Sequence, residues 1–509
     1  MSMSIGTESP PAPSHANGNG NGHGPGLKHD AAKPRISASD RPRIAFLLPR
    51  GEALRNFVYN GMLDDLAEQA DVLVLSVEHP NDLGELLRGK FPQIQPLTEI
   101  ADRWPTRFTR DWLDSAHGRH LWSEAAKQRW KLRDLECKSP KQKLKRAIDK
   151  GLAIAFAHRP GLALLSRLEE WSSRVLRTSD VYHRLFREWR PTLVFNGSHS
   201  HSPVAMPAIH AAKDLKIPTA AFLFSWDNLT SQGRIIPQYD IYFAWNPAIR
   251  QDLMRIYPNI PPERVVVSGT PQFDLHFRDQ DVWTREEYCR RIGADPKRPI
   301  VLYSTGMAYQ MPGEVELVER LGDIVASMTD LASGPPQLVV RVYAKDRTQR
   351  FEPLKQARPD ILFPPVPWEK VWYTPRPEDG PLWSNMLRHA DVGINIASTV
   401  SLELCMFDKP VINLAYNAPN VDPSVVDVAM YYGFDHYRPI VESDAIALAH
   451  SETEADELIR RSLLHPEIRA DERRGLIRKM FGDQLDGWAG RRLARRIVEV
   501  ARELVTERD

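Results

Sequence analysis

The segment from residue 392 to residue 414 constrains the fold of this 509-residue chain most strongly. It contains an apolar strand (392–396), a small polar turn, an apolar helix (400–407) and a second apolar strand (411–414). Such a short succession predicts a compact β-turn-α-β unit.

The turn between this strand and this helix has the residue types that bind phosphate. Ser398 and Thr399 bring two hydroxyls to the N-terminus of the predicted helix. A helix N-terminus carries a partial positive charge and unpaired N–H donors, so it attracts phosphate. Glu403 follows one turn later, where a carboxylate can accept hydrogen bonds from ribose or sugar hydroxyls. The alternative is an ordinary crossover whose turn is small only for packing.

The unit resembles the donor-binding segment of GT-B glycosyltransferases, above all the group of CDP-glycerol glycerophosphotransferase, Kdo-transferase and UDP-N-acetylglucosamine 2-epimerase. In that group a Ser-Ser/Thr turn and a following acidic residue hold the nucleotide diphosphate and its ribose. A second similarity is Gly269-Thr270-Pro271-x-x-Asp274, which resembles the motif that opens the second domain there. The resemblance covers about residues 43 to 440. It implies an α/β fold in which two Rossmann-like domains face a cleft, with a helical insertion in the N-terminal domain.

Composition agrees with an α/β protein of two domains. At 509 residues the chain exceeds what one core supports, and its 42% hydrophobic and 26% charged content is typical of soluble proteins. A net charge of +1 gives no indication of nucleic-acid binding. Three scattered cysteines predict neither disulfides nor a zinc site. We expect a cytoplasmic location, because neither a membrane-spanning apolar run nor a signal peptide is apparent. The inner face of the membrane is the alternative location.

The alternation of strands and helices predicts the domain organisation. The expected parts are a flexible tail rich in Gly and Asn (1–40), an N-terminal Rossmann-like acceptor domain (41–257), a C-terminal Rossmann-like nucleotide-sugar domain (263–440) and a charged helical segment (441–509). We expect 258–262 to link the domains and 264–268 to be the first strand of the second sheet. In GT-B proteins the last helix commonly crosses back to the first domain, and the C-terminal segment is suited to that.

Residues 101–190 interrupt this alternation and are predicted to be a helical insertion in the first domain. The stretch from Lys127 to Lys150 is strongly basic, and apolar residues lie between its cations. One interpretation is a peripheral membrane contact, an amphipathic surface that rests on anionic lipid or holds an anionic polymer. The other is a helical insertion with a solvated basic face.

Ligands of open α/β sheets bind at the carboxyl ends of strands, so the loops there contain the candidate residues. After the first strand, Gly51 permits close backbone approach, and Arg55 with Asn56 is a candidate for binding an anionic acceptor. A tight turn with a surface arginine is the alternative.

The loop 196–202 contains His199 and His201. A neutral imidazole is the usual general base for a hydroxyl, and in inverting GT-B enzymes the base comes from the N-terminal domain. The spacing of the two histidines also permits a metal, but no Cys, Asp or Glu lies nearby in the sequence to complete the ligand set.

The loop 225–233 contains Trp226, Asp227 and Asn228. An aromatic face beside short polar groups is typical of a sugar site, and Asp227 is a second candidate for the base. The same residues also favour turns, and the two interpretations are compatible.

In the second half, the candidate donor-binding residues follow predicted strands. They are Gly269, Thr270, Ser304, Thr305, Gly306, Arg341 and Lys345, with Ser398, Thr399 and Glu403 of the turn unit. A cation at Arg341 or Lys345 can neutralise the leaving diphosphate. Glycerophosphotransferases have His-Pro two residues after the arginine, where this chain has Tyr343 and Ala344, and this puts glycerophosphate transfer in doubt. Asp274 is expected to cap the helix that follows it.

These patterns predict a glycosyltransferase that moves a sugar from a nucleotide-sugar donor to a glycan or lipid-linked acceptor. We expect no metal and no other cofactor, because GT-B enzymes stabilise the leaving diphosphate with helix ends and basic side chains. The alternatives are a nucleotide-sugar 2-epimerase and a non-catalytic protein of polysaccharide assembly.

Overall fold

A seven-stranded parallel sheet forms the first half of the protein. The computed structural model describes residues 41–177, 180–199 and 203–506. In chain order the strands are β1 (Arg43–Leu48), β2 (Asp71–Ser76), β3 (Ile94–Pro96), β4 (Leu193–Asn196), β5 (Thr219–Phe222), β6 (Ile241–Ala244) and β7 (Val265–Val267), and in the sheet they lie in the order 3-2-1-4-5-6-7. β1 is an interior strand: it pairs with both β2 and β4, and five of its six residues are fully buried. Apolar residues on both faces of a strand are typical of a parallel sheet covered by helices.

The expectation that the strand near residue 265 opens the second sheet is wrong. β7 is hydrogen-bonded parallel to β6, with Val266 opposite Phe243. Residues 258–262 therefore lie within the last crossover of the first sheet, and the predicted boundary at 257–263 falls inside that sheet. A three-residue strand carries too little local pattern to show which sheet it joins, since only its pairing decides this.

The described residues of the first half form eleven α-helices. They are α1 (Glu52–Phe57), α2 (Met62–Gln69), α3 (Asn81–Lys90), α4 (Trp104–Leu121), α5 (Glu124–Glu136), α6 (Pro140–Phe156), α7 (Arg159–Val175), α8 (Val181–Trp189), α9 (Met206–Asp214), α10 (Asn228–Ser231) and α11 (Pro247–Ile256).

The predicted helical insertion is confirmed between β3 and β4, where α4 to α8 follow one another. The helices α4 to α7 have a small core of their own, which includes Leu113, Trp130 and Leu165. α8 instead packs against α9, and its Phe186 joins the main core. The insertion is thus a helical layer attached to the first domain through α8 and through hydrogen bonds between the segment 230–234 and Asp114, Ser123 and Ser166.

A five-stranded parallel sheet forms the second half. Its strands are β8 (Ile300–Ser304), β9 (Gln337–Arg341), β12 (Val392–Asn395), β13 (Val411–Leu414) and β14 (Ala447–Ala449), in the order 14-13-12-8-9, and the short strands β10 (Trp368–Glu369) and β11 (Thr374–Pro375) form a separate antiparallel pair. The helices are α12 (Arg285–Ile292), α13 (Glu314–Ser327), α14 (Glu352–Ala357), α15 (Asp379–His389), α16 (Val400–Met406), α17 (Arg438–Val441), α18 (Glu452–Leu464), α19 (Ala470–Phe481) and α20 (Ala489–Thr506). The β-turn-α-β unit predicted at 392–414 is confirmed as β12, α16 and β13.

The last helix returns to the first domain, as anticipated. α20 packs along α2, and its Leu493, Ile497 and Val498 are buried. Both oxygens of Asp274 accept hydrogen bonds from the N-terminus of α20, at 3.1 Å from the amide of Ala489 and 2.7 Å from that of Gly490. Asp274 therefore does cap a helix, but this helix lies 215 residues further along the chain and not directly after it.

None of the helices in these three stretches is long and apolar enough to cross a membrane. The predicted tail at 1–40 lies outside the described residues.

Candidate functional site

Loops at the carboxyl ends of both sheets meet where the two domains face each other. After β1, the amide of Gly51 donates to the carbonyl of Trp372 at 2.9 Å. After β5, the indole N–H of Trp226 donates to the hydroxyl of Thr399 at 3.1 Å. The predicted acceptor and donor loops are therefore in direct contact.

Hydrogen bonds to residues of its own sheet hold the turn after β12 in place. The Ser398 amide donates to Oδ1 of Asn395 at 3.1 Å, and the Ser398 hydroxyl accepts from the amide of Val400 at 3.3 Å. Asn395 is fully buried and also bonded to Ser401 and to the Nδ2 of Asn413. This network fixes the turn and leaves the Thr399 hydroxyl directed toward the first domain.

Glu403 lies in a buried hydrogen-bond network one turn into α16. Its Oε2 accepts from the indole N–H of Trp383 at 2.6 Å and contacts Nε2 of His276 at 3.0 Å. Nδ1 of His276 contacts the hydroxyl of Ser384 at 2.7 Å. The Glu403 carboxylate only accepts, so Nε2 of His276 is the donor, and the Ser384 hydroxyl can adapt to Nδ1 because it both donates and accepts. The sequence did not indicate His276, Trp383 or Ser384, although His276 lies two residues after the Asp of the Gly-Thr-Pro motif.

Arg341, at the end of β9, extends this network. Its guanidinium is ion-paired with Asp379 at the start of α15, donates to the carbonyl of Pro365 at 3.1 Å, and lies 5.7 Å from the centre of the Trp383 ring. Both members of the ion pair are buried. Arg341 therefore supports the Trp383 indole that binds Glu403.

A cation cluster, formed by Arg50, Lys345 and Arg347, lies where the loops after β1 and β9 approach each other. All three cations face the ring of Tyr373, at 5.4, 5.9 and 4.3 Å from its centre. Glu52, at the start of α1, is ion-paired with Lys345 at 2.5 Å and with Arg50 at 3.0 Å. Burial opposes the charge of Lys345, but Glu52 outweighs it and raises the pKa of the amine. The sequence predicted Lys345 but not its cationic neighbours or Glu52.

In the turn after β8, a backbone amide is hydrogen-bonded to a carboxylate of the protein itself. The Gly306 amide donates to the fully buried Glu314 at 2.9 Å, which also binds the Tyr303 hydroxyl and Arg350. Burial raises the pKa of Glu314 to about 7. The hydroxyl of Thr305 accepts from the Tyr343 amide at 2.8 Å, and Ser304 is buried. Ser304, Thr305 and Gly306, which were predicted to bind the sugar donor, are thus buried or hydrogen-bonded within the protein around this turn.

Gly269 and Thr270 lie at the base of the C-terminal helix. Gly269 has a φ of +74°, and a β-carbon there would lie 2.6 Å from Oε1 of Gln484. A side chain at this position would thus be strained as well as crowded. The Thr270 hydroxyl accepts from the amide of Gln272 at 3.4 Å. The structure brings the two residues to the Asp274 cap of α20.

The loop after β5 is folded on itself and against the second domain. Asp227 binds the hydroxyls of Ser225 and Ser231, and Ser225 also donates its amide to Asn228 at 2.9 Å. The Trp226 ring is buried, with the His436 ring 5.2 Å away. Burial lowers the pKa of His436. The turn chemistry anticipated for this loop is present, and Trp226 contacts both domains.

His199 lies half-buried at the end of β4 beside this loop. Its Nδ1 is 3.1 Å from the carbonyl of Phe222 and 3.4 Å from the amide of Phe224. The shorter contact favours a proton on Nδ1, which leaves Nε2 as the basic nitrogen. The second predicted histidine, His201, lies outside the described residues.

The loop after β1 packs tightly against the second domain. A β-carbon on Gly51 would lie 2.1 Å from Oγ1 of Thr374, so only glycine fits. Arg55 donates to Asn56 at 3.3 Å, and Asn56 is fully buried.

Within the three described stretches, no group of three His, Cys, Asp or Glu side chains has the arrangement of a metal site.

Comparison with solved structures identifies the fold. A putative UDP-N-acetylglucosamine 2-epimerase from Listeria monocytogenes is similar with a TM-score of 0.52 at 12% identity, over 91% of this chain and 97% of that one. UDP-GlcNAc 2-epimerase from Neisseria meningitidis bound to UDP-GlcNAc gives 0.49 at 11% identity (90% and 100% covered), and a glycosyltransferase from Rickettsia africae gives 0.47 at 11% (92% and 99%). No protein-family model matches the sequence, and no curated protein matches it. The likeness to the Listeria protein shows that this chain has the GT-B-like fold of two Rossmann-like domains.

Proposed function

We propose that this protein is a glycosyltransferase that moves a sugar from a nucleotide-sugar donor to a hydroxyl of a polysaccharide or glycoconjugate. The observation that carries the proposal is the cation cluster of Arg50, Lys345 and Arg347, which lies in the cleft between the domains with one carboxylate, Glu52, among its three cations. Cations placed where negative charge develops on a leaving diphosphate stabilise the transition state.

The donor would lie along the second domain, with its diphosphate between the cation cluster and the turn at Ser398 and Thr399. Glu403 would accept hydrogen bonds from the ribose, since His276 and Trp383 hold its carboxylate in one orientation. Orientation by fixed neighbours lowers the entropy cost of binding.

The acceptor hydroxyl would enter from the first domain. Nε2 of His199 is the proposed base that removes its proton, and Asp227 is the second candidate. The contact between Trp226 and Thr399 supports a closure of the domains that excludes water and so limits hydrolysis of the donor.

A nucleotide-sugar 2-epimerase is the second candidate. The name of the Listeria protein favours it, because that protein shares the fold over nearly its whole length. The same name makes UDP-sugars the first donors to test.

Release of nucleoside diphosphate, measured with and without a glycan extract, tests the proposal. A transferase releases UDP, CDP or GDP from its nucleotide sugar only with acceptor, and His199→Ala lowers that rate at least about a hundredfold. The matched control is His465→Ala, an exposed histidine at the end of α18, which should leave the rate unchanged.

Two results would contradict transfer. Conversion of the donor at C2 without acceptor would establish the epimerase instead. No conversion of any nucleotide sugar by a folded sample would favour the non-catalytic assembly protein.

A further inference from the structure

The helices α6 and α7 of the insertion expose apolar side chains that a folded protein normally buries. On α6 these are Leu144, Ile148 and Ile154, and Leu144 is 65% exposed. On α7 they are Leu164, Leu168, Trp171 and Val175, and Trp171 is 63% exposed. On α7 the four side chains are three, four or seven residues apart and share one face. On α6, Leu144 and Ile148 are four residues apart, and Ile154, six residues further on, widens that face to an arc of about 120°.

Both faces belong to one surface. The two helices contact each other, and only residues 157 and 158 separate them in the chain. Each also packs on α4, and the buried residues are Ala153 on α6 and Leu162 and Leu165 on α7. The exposed stripes therefore lie on the side away from α4. We call this surface the α6–α7 face, defined by the seven side chains named above.

The α6–α7 face is bordered by positive charge. Lys141, Lys143 and Lys145 are exposed at the start of α6. The acidic side chains of the two helices are less exposed than these lysines: Glu169 is buried, and Asp149 and Glu170 are half-buried. Arg146 and Lys150, further along the basic stretch, do not add to this border, because both form ion pairs with Asp134.

We infer that the α6–α7 face binds the surface of an anionic lipid membrane. An amphipathic helical surface of this kind lies in the interface, with its apolar side chains among the acyl chains and its lysines near the headgroups. The charge distribution favours lipid over a second copy of the chain, because α6 and α7 carry exposed lysines but no exposed acidic side chain that could pair with them in a symmetric dimer. The inference is independent of the chemistry in the cleft.

Co-sedimentation of the full chain with vesicles tests this inference. We expect binding to phosphatidylglycerol vesicles, much weaker binding to phosphatidylcholine vesicles, and a fall in binding as salt increases. The double variant Leu164→Ser, Leu168→Ser should bind at least about tenfold more weakly, because two apolar side chains no longer enter the membrane. The triple variant Lys141→Gln, Lys143→Gln, Lys145→Gln should lose roughly fivefold per charge on anionic vesicles only.

The matched control is Leu464→Ser, a 58% exposed leucine at the end of α18 in the second domain. It should bind vesicles as the wild type does. All of these substitutions are at exposed positions, so circular dichroism and thermal unfolding should be unchanged. Failure of the folded wild type to bind either vesicle would overturn the inference. So would a wild-type dimer that the leucine variant converts to a monomer while no vesicle binding is seen.

Discussion

The indole N–H of Trp226 donates to the hydroxyl of Thr399 at 3.1 Å, which joins the loop after β5 to the turn after β12. The two residues lie 173 positions apart and belong to different domains. The bond therefore couples the proposed acceptor side of the cleft to the proposed donor side.

Trp226→Phe should remove this bond while it keeps an aromatic ring in place. Loss of one hydrogen bond is expected to lower the free energy of unfolding by about 1 kcal/mol. Trp189→Phe is the matched control, because its indole bonds to Gln93 within the first domain at 2.8 Å. Only Trp226→Phe should also change nucleotide affinity, measured by calorimetric titration, and equal affinities in the two variants would contradict the coupling.

Glu403→Gln should weaken the binding of nucleotides that carry a ribose. The amide cannot accept from both Trp383 and His276 with the strength of a carboxylate, so the affinity should fall at least about tenfold. Glu169→Gln is the control, since Glu169 is also buried but pairs with Arg110 in the insertion. It should destabilise the fold and leave affinity unchanged, and the opposite pattern would remove Glu403 from the site.

Lys345→Met should weaken the binding of a nucleoside diphosphate far more than the binding of the nucleoside alone. Loss of one cation from the cluster is expected to weaken UDP binding by roughly tenfold or more but to leave uridine binding nearly unchanged. Lys150→Met removes a similarly half-buried lysine from the insertion and should affect neither ligand. An equal loss for UDP and uridine would indicate a change of fold and not of charge.

Asp274 predicts a specific pH dependence of stability. Burial raises the pKa of this carboxyl from 3.8 to about 6, against the opposing effect of its bonds to Gly490 and Ala489. The folded state thus holds a proton that the unfolded state releases, so the contribution of Asp274 is greatest below pH 4 and is lost as pH rises through 6. The full change is about 3 kcal/mol.

Thermal unfolding of the wild type and Asp274→Asn from pH 4 to pH 7 measures this contribution. The advantage of the wild type over the variant should shrink with rising pH. Asp486→Asn is the control, because its bond to Arg492 lowers the pKa of Asp486, so the wild-type advantage at this position should stay constant from pH 4 to pH 7 and be lost only at lower pH. A wild-type advantage that grows with pH would show that the Asp274 pKa is lowered.

Local pattern predicted part of the fold well. The β-turn-α-β unit at 392–414 is recovered because apolar runs, a small turn and a short connection determine it within one segment. β7 was assigned to the wrong sheet, since its three residues pair with β6 through contacts that no local pattern specifies. The insertion was recognised as helical, but its exposed apolar stripes became visible only when packing on α4 showed which faces are covered.

In the candidate site too, local sequence pattern predicts single residues but not their distant partners. Glu403 and Lys345 were predicted because each lies shortly after a strand. Their partners His276 and Glu52 lie 127 and 293 residues away in sequence, and only the tertiary fold brings them together. Asp274 was predicted to cap a helix, but its partner helix is the last of the chain.

The most direct test of the central claim is a thermal-shift titration of the wild type and Lys345→Met with UDP, CDP and GDP. A ligand at about 100 times its Kd stabilises the folded state by roughly 2.7 kcal/mol, which is readily measured. The account predicts that one nucleoside diphosphate stabilises the wild type and that Lys345→Met needs at least about tenfold more of it. No stabilisation of a folded wild type by any of the three at millimolar concentration would contradict a nucleotide-sugar site in this cleft.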